Sequence, residues 1–337
     1  MTSAVRGTKL LVAAVLVMLA LASGCAGQQA ATPSRSAASA GSDTRTPAPA
    51  PATAAAVGGD GSYQTGRRQV TFTEPAHEGP ADQYLGQRTL ITQIWYPVAR
   101  DAARPFPLLL FAPGFLQCSG AYSHLLQAWA SAGYVVAAVN FPRTNCHLGT
   151  VAYEADLVNQ PQDMSYVLTT LLALSARPGD SFSGLLDPHE VGAAGQSDGG
   201  DTVAGLAANT CCTDRRLKAV AVLSGAEWPP MPGRYFPGET PPMLFTQGSA
   251  DDINPPWVSL QLYRADGADA RYYLDLFGAS HLVPYEGTNP VERLTARVTL
   301  AFFDRYVLGQ ADALETMTRD GNVAGTAALV SGGQPPP

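Results

Sequence analysis

Glu190-Val191-Gly192-Ala193-Ala194-Gly195-Gln196-Ser197-Asp198-Gly199-Gly200, followed by Asp201-Thr202-Val203-Ala204-Gly205-Leu206-Ala207-Ala208, is the stretch on which the fold turns. Its first five residues form an apolar run that reads as a buried strand, and the residues from Asp201 onward read as a helix. Between them lies G-x-S-x-G, the pattern of a strand–turn–helix nucleophile elbow. A serine held at such a turn projects its hydroxyl above the sheet. Only small residues two before and two after it let strand and helix pass that close, and Gly195, Gly199 and Gly200 supply them. The start of the helix adds free N–H groups aimed at the reacting centre. The competing reading is a glycine-rich turn whose serine merely caps a helix. What separates the two is whether the rest of the chain supplies a histidine, an acid and an oxyanion hole in matching places.

Outward from the elbow, apolar strand patterns alternate with helical ones. Strands are expected over 68–73, 88–97, 107–111, 134–139, 190–194, 217–223, 242–247 and 271–276. Helices are expected over 121–132, from about 153 to 173, and over 201–208, 257–265 and 291–308. Such alternation implies an α/β fold: a mostly parallel eight-stranded sheet with helices on both faces. No long insertion between the strands provides a large cap domain, so a fairly open site is expected. In such sheets the active site lies at the C-terminal edges of the strands.

That edge can be filled residue by residue. The loop after 242–247 reads Gly248-Ser249-Ala250-Asp251-Asp252-Ile253-Asn254-Pro255-Pro256. An acid here suits a triad, because a buried carboxylate needs a partner and a histidine N–H provides one. Asp251 is favoured; Asp252 is its rival, and either also suits capping the helix that follows. Of the five histidines, His77 and His189 fall away from the expected site edge, while His124 and His147 precede the elbow. His281, in Gly278-Ala279-Ser280-His281, directly follows the last strand. It is the candidate base, taking the serine proton and returning it to the leaving group. For the oxyanion, two backbone N–H groups are expected, from Asp198 after the serine and from Phe115 in Phe111-Ala112-Pro113-Gly114-Phe115-Leu116.

The order Ser197, Asp251, His281 is that of the α/β-hydrolases. With Trp95-Tyr96-Pro97, Ala112-Pro113-Gly114-Phe115 and the three site motifs, residues 63–309 resemble that superfamily. Within it they are similar to the bacterial esterase group that includes dienelactone-hydrolase-like, chlorophyllase-like, platelet-activating-factor-acetylhydrolase-like and cutinase-like enzymes. Gln196 and Asp198 depart from the residues commoner on either side of the nucleophile in that group. The resemblance implies a serine hydrolase of carboxylic esters, lipase- or esterase-like, working through an acyl-enzyme without metal or cofactor. Its substrate would be a small-molecule, lipid or polymeric ester, with Trp228 lining the acyl pocket. Two other readings stay open: an acyltransferase using the same triad, and a non-catalytic ligand-binding surface lipoprotein.

The remainder of the 337 residues speaks to location. Arg6 and Lys9 precede an apolar run from Leu10 to Ala22, too short for a comfortable membrane span and suited to a signal peptide. Leu21-Ala22-Ser23-Gly24-Cys25 resembles a lipobox with Cys25 as the lipidated residue, so 1–24 is read as a lipoprotein signal peptide. Residues 25–66, rich in Ala, Pro, Ser and Thr, read as a disordered tether spanning about 35 Å. The catalytic domain is expected over 67–315 and a second disordered tail over 316–337. An exported, membrane-anchored monomer at the outer face of the cytoplasmic membrane or cell envelope, or released to the medium, follows. The net charge of −7 argues against a nucleic-acid partner. Export permits disulfides. Cys118 and Cys146 both follow strands expected to be sheet neighbours at the site edge, and are expected to pair. Cys211 and Cys212 belong at the opposite edge, either as an adjacent pair or reduced and buried.

Overall fold

The computed structural model describes residues 63–81, 83–98 and 105–332. The expected signal peptide, Cys25 and nearly all of the expected tether lie outside the described residues. In chain order the fold opens with β1 (Thr65–Glu74), a small ribbon of β2 (His77–Glu78) and β3 (Tyr84–Leu85), β4 (Arg88–Pro97) and β5 (Phe106–Ala112). Then come α1 (Ser123–Ser131), β6 (Val135–Asn140), α2 (Gln160–Ser175), β7 (Leu186–Gln196) and α3 (Asp198–Ala208). The chain closes with β8 (Ala219–Leu223), β9 (Met243–Gly248), α4 (Pro256–Ala265), β10 (Arg271–Leu276), α5 (Pro290–Tyr306), α6 (Ala313–Gly321) and β11 (Ala327–Ser331).

Nine strands make one sheet in the order β1-β4-β6-β5-β7-β8-β9-β10-β11. From β6 to β10 every neighbour is parallel; β1, β4 and β11 join antiparallel at the two sides. The architecture is thus α/β with a large, mostly parallel sheet. β5, Phe-Pro-Leu-Leu-Leu-Phe-Ala, carries no polar residue because both its faces are covered, and all seven residues are buried. Alternate residues of the strands feed two cores. On one face Leu108, Leu110, Val191 and Val220 pack beneath α2, α3 and α4 through Val167, Leu171, Val203 and Leu262. On the other, Leu109, Phe111, Ala194 and Leu244 meet α1 and α5 through Leu126, Trp129, Val298 and Phe303.

The expected eight strands need correction to nine. The ninth, β11, comes from the C-terminal stretch expected to hang free. Its Leu274↔Leu329 pairing caps the side of β10, and Ala327 is buried against the α5 face. α6, amphipathic through Met317, packs ahead of it. Short, alanine-rich β11 has the composition of a tail; what makes it a strand is the open hydrogen-bonding side of β10.

At the C-terminal edge of the parallel strands the connections are loops and single helical turns. The connection between β6 and α2 is held by a buried ion cluster. Arg88 donates to Asp163 at 2.6 Å from both Nε and Nη2, and to Asp156 at 3.0 and 2.7 Å. Burial raises the carboxyl groups of Asp163 and of neighbouring Glu74, while Arg88 draws both down.

Candidate active site

Ser197 sits between β7 and α3 with φ 56° and ψ −125°. That backbone conformation costs a non-glycine residue of order 1–3 kcal/mol and holds only where packing enforces it. The packing is visible in the glycines: a Cβ on Gly195 would collide with the Gly199 carbonyl, and one on Gly199 with the Ala112 carbonyl. Leu116 and Ser224 also take positive φ, at the ends of the neighbouring strands β5 and β8. Of the four described non-glycine residues with positive φ, these three gather at the edge where Ser197 lies; the fourth, Phe236, is hydrogen-bonded to Ala208 at the other end of α3.

His281, on the loop after β10, is buried, and its Nδ1 lies 2.7 Å from Asp251 Oδ2. Asp251 is the acid that meets the histidine; Asp252 is exposed. The difference is local. Asp251 Oδ1 accepts the N–H groups of Ile253 at 3.0 Å and Asn254 at 2.9 Å, and Oδ2 also accepts from Gln247 Nε2 at 2.8 Å. Burial alone would raise this carboxyl. The His281 bond, then the Asn254 and Gln247 bonds, outweigh it and hold Asp251 below the usual carboxylate range. An ionised carboxylate on Nδ1 fixes the tautomer, leaving Nε2 as the acceptor.

Nε2 in turn lies 3.2 Å from Gln196 Nε2. Among the described residues Ser197 Oγ forms no hydrogen bond with His281. The expected acid–histidine pair is thus assembled, while the serine hydroxyl is not yet engaged, as is common in unliganded sites.

The loop after β5 lies against the serine: a Cβ on Gly114 would stand 3.1 Å from Ser197 Cβ. Its amides are nearly all committed. Gly114 N–H donates to Tyr122 Oη at 3.2 Å, Leu116 N–H to Thr144 O at 2.8 Å and Gln117 N–H to Gly114 O at 3.1 Å. Among the described residues the Phe115 N–H has no partner, the state a donor reserved for a ligand oxygen requires. Asp198 opens α3, where first-turn N–H groups lack intrahelical acceptors. Its side chain is buried with Oδ2 unpartnered, and burial, then the charge of Glu154, push its carboxyl up to about 7.

The sequence marked Gln196 only as a departure beside the nucleophile, and no motif marks Tyr122 or Glu286. Gln196 touches His281, Tyr122 bonds Gln196, and Glu286 lies within electrostatic reach of the histidine. Glu286 is half-buried with an unpartnered Oε1; burial raises its carboxyl and His281 draws it down. Only its position five residues past His281 marks it. Trp228 lies in a small cluster with Leu157, Val158, Met231 and Tyr235, beside α3.

Cys118 and Cys146 form the expected disulfide, with Cα atoms 5.2 Å apart. Cys211 and Cys212 are joined as an adjacent pair at the far end of α3. His147 brings a ring nitrogen within 4.8 Å of Cys118 and Cys146, but both sulfurs are committed to the disulfide. A cleft of about 950 Å³ lies away from Ser197, walled by α2, the end of α3, Cys211 and Cys212. It brings together no nucleophile, base and acid, so converging chemistry rather than volume marks the site.

A comparison with protein-family models finds no match, and a comparison with curated proteins finds none.

Proposed function

We propose that the chain is a serine hydrolase of carboxylic esters, of the α/β-hydrolase kind. The observation that carries this reading is the 2.7 Å bond from His281 to Asp251 at the sheet edge where Ser197 occupies a strained strand–helix turn. The strand order from β1 to β10, with one crossover exchanging β5 and β6, supports it as well.

In this mechanism Ser197 Oγ bonds to the ester carbonyl carbon as its proton passes to His281 Nε2. The oxyanion is held by the Phe115 and Asp198 N–H groups, each worth about 3–4 kcal/mol in the transition state. His281 returns the proton to the departing alcohol, and Asp251 stabilises the imidazolium between the two transfers. Water then adds to the acyl-enzyme by the same relay and the acid leaves. These steps need protein groups alone. Large apolar side chains stand exposed on the connections and first helical turns at this edge, Leu116, Tyr153, Ile253 and Trp257 among them, which favours apolar esters. The signal-peptide-like run before Cys25 and the lipobox-like Leu21-Ala22-Ser23-Gly24-Cys25 favour reading it as an envelope-anchored enzyme.

The test is hydrolysis of p-nitrophenyl esters of graded acyl length. Wild type should turn over and Ser197→Ala should not. Equal rates in the two would overturn the reading.

A further inference from the structure

Gln196 immediately precedes the nucleophile and is wholly buried, and its side chain is spent inside the site. Gly114 N–H donates to Tyr122 Oη at 3.2 Å, and Tyr122 O–H donates to Gln196 Oε1 at 2.8 Å. Gln196 Nε2 then lies 3.2 Å from His281 Nε2 and 3.3 Å from His281 O. The direction of this chain is forced. A backbone amide can only donate, so the Tyr122 proton must go onward to the glutamine oxygen. That turns the glutamine NH₂ toward the ring. The ring keeps its proton on Nδ1 and donates it as a hydrogen bond to Asp251 Oδ2, so Nε2 of the neutral ring can only accept.

We infer that Gln196 is a positioning residue that holds the lone pair of the base and yields it when substrate engages the oxyanion loop. The inference rests on the serine-hydrolase reading. Nε2 has one lone pair; Gln196 and Ser197 Oγ compete for it, and Gln196 holds it here. Once Nε2 takes the serine proton, its N–H and the glutamine N–H become two donors face to face. The Gln196–Nε2 bond must then break, leaving Gln196 anchored on His281 O. The chain begins at Gly114, next to the free Phe115 amide, so a carbonyl docking there bears on its first link. The oxyanion loop and the base are therefore coupled through two side chains, Tyr122 and Gln196.

The titratable groups around the relay are Asp251 on the loop after β9, Tyr285 and Glu286 on the His281 loop, Tyr122 ahead of α1 and Asp198 at the start of α3. The variants that test Gln196 leave the three carboxyl groups in place.

The experiment is phosphonylation by a small fluorophosphonate, in which Ser197 Oγ bonds to phosphorus, fluoride leaves and the proton goes to His281. Gln196→Met keeps the bulk and removes the bond, and should label about threefold to tenfold faster than wild type, the worth of one net hydrogen bond. Tyr122→Phe, which frees the amide to rotate, should move the rate in the same direction by less. Gln196→Glu places an acceptor on Nε2–H, and should move the acidic limb of kcat/KM for a p-nitrophenyl ester to higher pH. Labelling of both Gln196→Met and Tyr122→Phe at or below the wild-type rate, with an unmoved limb in Gln196→Glu, would overturn the inference. Folded wild-type protein that takes no label would instead remove the serine-hydrolase reading beneath it.

Discussion

Asp251 and Asp252 are neighbours in the sequence, yet one is buried on a histidine and the other faces water. Both sit on the loop where an acid was expected, and motif order alone does not choose between them. The choice is made by the turn, in which Asp251 Oδ1 collects the next two free amides. Asp251→Asn should therefore lower kcat by about 10⁴-fold by upsetting the histidine tautomer. Asp252→Asn should leave kcat within about twofold, because an exposed carboxylate interacts weakly; ester hydrolysis by the two variants checks both. Ser197 and His281 were legible because each stands next to a strand end. Gln196, Tyr122 and Glu286 were not, because their roles arise from contacts between elements far apart in the chain. Asp198 gives a prediction in pH. Its carboxyl is held up to about 7 by burial, against an ordinary value near 3.8. Between those two values the folded chain keeps a proton that the unfolded chain has lost, so its contribution to stability falls as pH rises across the window and is flat above it. Asp198→Asn removes that penalty. Its stability relative to wild type should rise between about pH 4 and 7.5, by up to roughly 4 kcal/mol, in denaturant melts. A difference that does not vary with pH would refute the assignment.

Among the elements, the all-apolar β5 and the alternating β4 were plain in the sequence, since their periods report directly which faces are covered. β11 was not, since five small and apolar residues carry no period long enough to distinguish a strand from a tail. The cluster around Arg88 was equally hidden: Glu74, Arg88, Asp156 and Asp163 meet only after β1 and β4 pair and α2 folds across them. One arginine there satisfies two buried aspartates. Arg88→Met should cost about 3–5 kcal/mol, because both carboxylates are left without their cation. Replacing the whole cluster by apolar residues should cost far less. Chemical denaturation of the two variants separates these cases, and equal losses would mean that packing rather than charge is what Arg88 supplies.

Over the whole molecule, the sheet fixes the chemistry by placing every strand-to-helix connection from β5 to β10 at one edge. The disulfide from Cys118 to Cys146 ties two of those connections together across 28 residues of sequence. Replacing both cysteines by alanine should lower stability by about 3–4 kcal/mol through loop entropy restored to the unfolded chain. That loss is read as a lower denaturation midpoint, and an unchanged midpoint would show that the loops hold without the bond. The central claim is that Ser197, His281 and Asp251 act as one unit on esters, and active-site titration tests it most directly. Wild-type protein, Ser197→Ala and His281→Ala are exposed to a fluorophosphonate and the labelled residue is located by mass. Stoichiometric labelling of Ser197 in wild type, none in Ser197→Ala and a rate reduced by orders of magnitude in His281→Ala is the predicted result. Folded wild-type protein that stays unlabelled, or that is labelled on another residue, would contradict it.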